Sequence, residues 1–138
     1  MPAEPALGNA FVDTNVLLYA MVPGDPRYPV AERVLYTRPA INVQVLNEFA
    51  NVTRRKLGWT WRRIEEALDT IQQICGLPRP LTLETHRSGI EIARVHGLAI
   101  YDALIVAAAI EAGCATLYSE DMQSGQKVKS LTIQNPFT

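Results

Sequence analysis

Four acidic residues stand where an α/β chain gathers its ligands. Asp13 directly follows the apolar run at residues 9–12, and Asp121 lies two residues beyond the run at 115–119. Glu48 falls in the second turn after the run at 40–43, and Asp102 in the first turn of the Ala-rich stretch 101–112. In open α/β sheets, ligands bind beyond the carboxyl ends of the strands, so all four can converge on one edge. Singly, each has a plain structural use. Asp13 can cap the helix starting at Thr14, Asp102 can complement a helix dipole, Glu48 can be an exposed helical residue and Asp121 a turn residue. Together they repel one another and are hard to hold ionised unless a divalent cation neutralises them. No Cys or His shares the cluster, and oxygen donors alone suit Mg²⁺ or Mn²⁺. The chemistry of such ions is phosphoryl transfer, here cleavage of a phosphodiester by activated water. The acids would serve chiefly as ligands, and one of them could orient the water.

The elements that must position these acids follow from apolar spacing and breakers. Short apolar runs at 9–12, 40–43, 81–83, 115–119 and 131–134 predict strands. Helices are predicted at 14–21, 30–38, 44–57, from Trp61 after an N-cap at Thr60, at 84–96 and at 101–112. Pro23, Gly24 and Pro26 end the first helix, and Gly58, Gly97 and Gly113 stop later ones. The expected inner faces are Val45, Leu46, Phe49, Ala50, Thr53 and Leu57 on the third helix, and Trp61, Ile64, Leu68, Ile71 and Cys75 on the fourth. On the fifth they are His86, Ile90 and Ala93. Residues 120–129 read as a polar loop or short helix. Strands alternating with helices predict an α/β fold, a three-layer α/β/α sandwich around a central, mainly parallel sheet. Residues 1–8 are expected to be a frayed tail and 9–138 one domain.

Composition agrees with a globular chain and excludes several classes. The 138 residues are 48% hydrophobic and 20% charged, with a net charge of −1. Disorder, collagen-like, coiled-coil and disulfide-scaffold classes fail on these counts. Thirteen Lys and Arg against fourteen Asp and Glu are no footprint of a generic nucleic-acid coat. Contact with nucleic acid then requires a local patch or metal ions at an acidic site. Cys75 and Cys114 match no zinc spacing and read as small buried hydrophobes. The N-terminus lacks a signal-peptide pattern, and the longest apolar stretch, 98–109, is interrupted by Asp102 and too short to span a bilayer. The expectation is a cytoplasmic protein with no membrane partner.

The acidic positions sit within motifs that resemble a known family. Phe11-Val12-Asp13-Thr14-Asn15-Val16-Leu17-Leu18-Tyr19-Ala20 is similar to the opening motif of PIN-domain nucleases. Leu46-Asn47-Glu48-Phe49 resembles their second motif and Tyr101-Asp102-Ala103-Leu104-Ile105-Val106 their third. Leu117-Tyr118-Ser119-Glu120-Asp121-Met122 resembles the fourth, and Asn135-Pro136-Phe137 follows at the end. The chain's size, with no added domain expected, is similar to that of the VapC toxins of bacterial toxin–antitoxin pairs. The resemblance implies a Mg²⁺- or Mn²⁺-dependent endoribonuclease that leaves 5′-phosphate and 3′-hydroxyl ends, is dimeric and is neutralised by a small antitoxin. It places Asp13, Glu48, Asp102 and Asp121 at the metal, with Glu120 an alternative to Asp121. Thr14, Asn15 and Ser119 fall at supporting polar positions.

Other features are less specific. Arg54, Arg55, Lys56, Arg62 and Arg63 form the densest basic cluster, which could guide RNA phosphates, meet an acidic antitoxin segment or form a solvated helical face. A base could stack on Trp59, whereas Trp61 fits the core stripe. His86 and His96 are spaced unlike a metal pair. The segment of Tyr28, Val30, Val34, Leu35 and Tyr36 could cover a dimer or antitoxin groove or pack inside. Three rivals to an RNA-cleaving enzyme stand beside it: a non-catalytic RNA- or protein-binding module on the same fold, a phosphoacceptor receiver domain, also α/β, whose late strand-end lysine has only the loop residues Lys127 and Lys129 to match it, and a structure-specific DNA nuclease.

Overall fold

In the computed structural model, which describes residues 9–138, the first apolar run forms strand β1 (Ala10–Val12). The tail expected over residues 1–8 lies outside the described residues. β2 (Thr116–Tyr118), β3 (Lys127–Val128) and β4 (Leu131–Gln134) complete a sheet of order β1-β2-β4-β3. β1, β2 and β4 run parallel, placing Phe11 opposite Leu117 and Leu117 opposite Ile133, all fully buried. Phe11 and Val12 point to opposite faces of the sheet, and both are excluded from solvent, so helices cover both sides. On one side, α1 (Thr14–Ala20), α2 (Tyr28–Tyr36), α3 (Val43–Arg55) and α4 (Trp61–Cys75) pack among themselves. On the other, α5 (Leu83–His96) packs against α6 (Ile100–Glu111), which lies on β2 and β4. This is the three-layer α/β architecture expected from the sequence.

Side-chain caps set the helix starts. Asp13 accepts from the Thr14 N–H at the head of α1, and Asn42 Oδ1 accepts from the Val45 N–H at 3.0 Å at the head of α3. Thr60 caps α4 through the Arg63 N–H at 3.1 Å. Gly97 closes α5 with φ 68°, a conformation that glycine adopts without steric cost. α6 is apolar nearly all round and is buried from Ile105 to Ala109. No single helix among the described residues is long and apolar enough to cross a membrane. Cys75 and Cys114 form no disulfide, and burial pushes their thiols up to about 12 and about 11.

Several local expectations fail for physical reasons. Residues 40–43 make only isolated bridges, Ala40 to Phe11 and Asn42 to Arg79, because the Asn42 side chain starts α3 at Val43. Residues 81–83 are not a strand, since Thr82 caps α5 and Leu83 is its first residue. Within 120–129, Lys127 and Val128 form the short β3, antiparallel to β4. The inner face of α5 is Thr85, Gly89 and Ile92 with Ala93 packed partly buried beside them, whereas His86 and Ile90 are exposed. There a Cβ on Gly89 would stand 2.5 Å from Leu104 Cδ2, so α5 and α6 approach closely only because position 89 has no side chain. Leu57 is exposed. The two tryptophans exchange their expected roles: Trp59 is 6% exposed and packs edge-on to Phe49, while Trp61 is 56% exposed in the first turn of α4.

Candidate active site

The first turns of α1 and α6, the face of α3 and the turn after β2 meet in a cleft of about 220 Å³. It is lined by Asp13, Thr14, Asn15, Glu48, Asn51, Val52, Asp102 and Asp121. Asp13, only 7% exposed, accepts from the Thr14 N–H at 2.7 Å through Oδ1 and from the Ser119 hydroxyl at 3.0 Å through Oδ2. Asp13 thus serves as helix cap and cleft carboxylate together. The Thr14 hydroxyl donates to Glu48 Oε2 at 2.7 Å, and the Gln44 amide donates to Glu48 Oε1 at 3.2 Å. Asn15 donates to Asp121 Oδ2 at 2.8 Å. Asp102 stands in the first turn of α6, half-buried, on the helix that Gly89 lets close onto α5.

Burial dominates the electrostatics of Asp13, outweighing the two hydrogen bonds that favour its charge. With the nearby Glu48 and Asp102 carboxylates it lifts the Asp13 carboxyl to about 6. Asp102 is raised as well, by burial first and then by Asp121 and Glu48. Among the described residues, the hydrogen-bond partners of Asp13, Glu48 and Asp121 are neutral donors, and no Lys or Arg pairs with any of the four carboxylates.

Glu120 faces elsewhere. Its carboxylate accepts from the Tyr19 hydroxyl at 2.6 Å and from Arg27 at 3.1 Å. Arg27 also grips Asp25 bidentately at 2.9 and 3.0 Å and lies 3.7 Å over the Tyr19 ring. This latch raises the Arg27 guanidinium above its ordinary value, Asp25 first among the causes. Tyr19 is pushed up to about 12 by burial and by Glu120. Three successive residues after β2 are therefore pinned by different partners: Ser119 to Asp13, Glu120 to the latch and Asp121 to Asn15.

The basic cluster divides. Arg54 donates to the Trp59 carbonyl at 2.9 Å and lies 4.8 Å over Trp61, while Arg63 lies 3.9 Å over Trp59. Arg62 pairs with Glu66 on the surface. Arg55 and Lys56 instead line a 190 Å³ pocket with Asn51 and Val52, both also walls of the acidic cleft. In the apolar segment, Val34 and Leu35 pack inside and Tyr36 is exposed. Both histidines are exposed and line none of these pockets. Attention to charge alone misses Gln44, Asn47 and Asn51. Their spacing of three and four residues along α3 was the available signal for one polar face shared with Glu48.

The donor set fits a hard divalent cation: all the groups are oxygens, and burial leaves negative charge in need of a partner. The carboxylates share the cleft without closing on one point, since no three Asp, Glu, His or Cys groups among the described residues are placed to hold one ion together. An open set of this kind suits Mg²⁺, which keeps several waters and takes only one or two carboxylates from the protein.

A family model described as PIN domain matches residues 10–126. Among solved structures, Mycobacterium tuberculosis VapC20, a sarcin-ricin loop cleaving toxin, aligns with a TM-score of 0.65. It is 23% identical, over 81% of this chain and 89% of that one. VapBC2 from Rickettsia felis, solved bound to a DNA fragment from its promoter, aligns with a TM-score of 0.65. It is 21% identical, over 91% of this chain and 97% of that one. Among curated proteins none matches at a significant level. The folds agree with the layers and sheet described above, and the family match spans β1 to the turn after β2, carrying all four cleft acids. The chain belongs to the PIN domain family.

Proposed function

We propose that this protein is a divalent-metal-dependent endoribonuclease and the toxin of a toxin–antitoxin pair. The observation that carries this is the meeting of Asp13, Glu48, Asp102 and Asp121 in one cleft without a compensating protein cation. Asp13 and Asp102 are the principal ligands, with Glu48 and Asp121 completing the negative wall. When bound, Mg²⁺ or Mn²⁺ supplies an acidified water and positive charge against the phosphodiester oxygens. The chain's own residues hold the carboxylates in place: Thr14 orients Glu48, Ser119 orients Asp13 and Asn15 orients Asp121. Arg55 and Lys56, beside the cleft, take an adjoining RNA phosphate. Glu120 acts in the latch and not as a ligand.

The VapC likeness supports a small antitoxin as partner, homodimerisation and a cytoplasmic setting. It also favours RNA over a DNA target. A receiver domain is disfavoured because neither Lys127 nor Lys129 lines the cleft. The test is cleavage of a mixed, structured RNA pool by purified protein with Mn²⁺, Mg²⁺ or EDTA, beside Asp13→Asn prepared identically. Metal-dependent cutting that disappears in the variant is expected. Absence of both cutting and metal binding would overturn the enzyme in favour of a docking module.

A further inference from the structure

A second, larger pocket of about 430 Å³ adjoins the acidic cleft, lined by Gln44, Asn47, Glu48, Asn51 and Tyr101. Glu48 and Asn51 belong to both, so the two hollows share a wall. The three amides lie on one face of α3. Gln44 gives its NH₂ to Glu48 and keeps its carbonyl oxygen for another partner. Among the described residues, the side chains of Asn47 and Asn51 make no hydrogen bond. Tyr101 stands on the other side, 67% exposed in the first turn of α6 and next to Asp102, with no ring partner among the described residues.

The pocket thus combines a bare aromatic face with paired donors and acceptors, and its single charged wall, Glu48, is negative. Such a site repels a further phosphate and suits a flat, neutral, hydrogen-bonding ligand. Unpaired RNA bases are recognised in this way, by stacking on an aromatic ring and by hydrogen bonds to the base edge. Side-chain amides match a base edge that offers a donor beside an acceptor. In a pocket that shares Asn51 with both hollows, Arg55 and Lys56 offer the opposite charge.

We propose that this pocket holds one unpaired nucleobase next to the scissile phosphate, stacked on Tyr101 and read by Gln44, Asn47 and Asn51, and so sets the base preference of cleavage. The proposal rests on the ribonuclease function above. Two measurements test it. In the Asp13→Asn background with EDTA, single-stranded RNA oligonucleotides are titrated against protein carrying Tyr101, Tyr101→Phe or Tyr101→Ala. Loss of one stacked base is expected to weaken binding about tenfold in the Ala variant, with the ring of Phe restoring it. In parallel, cleaved ends are sequenced for the native protein, Tyr101→Ala and Asn47→Ala/Asn51→Ala, where the preference at one nucleotide beside the cut should flatten. Unchanged affinity together with unchanged end profiles would overturn the proposal and assign this surface to a protein partner. If the native protein neither cuts RNA nor binds Mn²⁺, the ribonuclease function falls and the titration alone decides. Tyr101-dependent binding then upholds the base pocket, and absence of binding overturns it.

Discussion

The Arg27 latch and the acidic cleft both hold carboxylates, and they meet at Glu120 and Asp121, neighbours in the chain. In the latch, Asp25 and Glu120 share one guanidinium at 2.9 and 3.1 Å, so each acid there has a cationic partner. In the cleft, Asp13, Glu48 and Asp121 accept only from neutral donors among the described residues, and burial holds Asp13 near 6. The same turn of chain therefore carries one acid that is neutralised and one that is not. The cleft acids, Asp13 the most buried of them, have no cationic partner among the described residues, and a cation from outside the chain is the proposed one.

The sharpest way to break this contrast is to neutralise each neighbour in turn. Asp121→Asn should lower metal-dependent RNA cleavage about a hundredfold, whereas Glu120→Gln should keep it within a few-fold, by initial rates at saturating Mn²⁺. Equal losses in both variants would erase the distinction between ligand and latch.

The next effect is thermodynamic. The folded chain keeps a proton on Asp13 up to about pH 6, whereas an ordinary Asp releases it near 3.8. Between those values the folded state binds more protons than the unfolded one, so stability falls as pH rises through the window and the deficit is complete above it. Asp13→Asn lacks this penalty. Without metal it should exceed the native protein by about 2 kcal/mol at pH 7.5 and by little at pH 4, by denaturant unfolding. A variant less stable at pH 7.5 would remove burial as the dominant influence on Asp13.

Smaller effects concern the supports. Gly89→Val should cost at least about 1 kcal/mol, because its side chain must displace Leu104 where α5 meets α6. It should also reduce cleavage by shifting Asp102, while the latch stays intact. Arg27→Lys loses the bidentate grip but keeps the charge. It should lower the melting temperature only slightly, by a difference that shrinks at high salt, with cleavage unaltered.

The parts legible in the sequence are those with strong local physics. An apolar run ending in Asp marks β1 and the head of α1, and the 98–109 stretch, apolar but for Asp102, marks the buried α6. Thr60 and Gly97 announce helix ends by residue type alone. The acids at strand ends follow from the α/β pattern, and the structure gathers them in one cleft. What stays hidden depends on tertiary context. Lys127–Val128 is too short to show a period and becomes β3 only by pairing with β4. Thr85 and Gly89 look unlike core residues and are buried because α5 presses on α6. Trp59 turns inward against Phe49 while Trp61, one position past its cap, faces solvent, a choice no apolar spacing encodes. The amides of α3 carry no charge and so escape a search for charged clusters.

Titration calorimetry decides whether the cleft carboxylates, which have no cationic partner among the described residues, take up a divalent cation. Mn²⁺ is added at pH 7.5 to the native protein, to Asp13→Asn and to Glu120→Gln. Saturable binding by the native protein and Glu120→Gln, lost in Asp13→Asn, is the predicted result. Equal binding in all three, or none in the native protein, would contradict it.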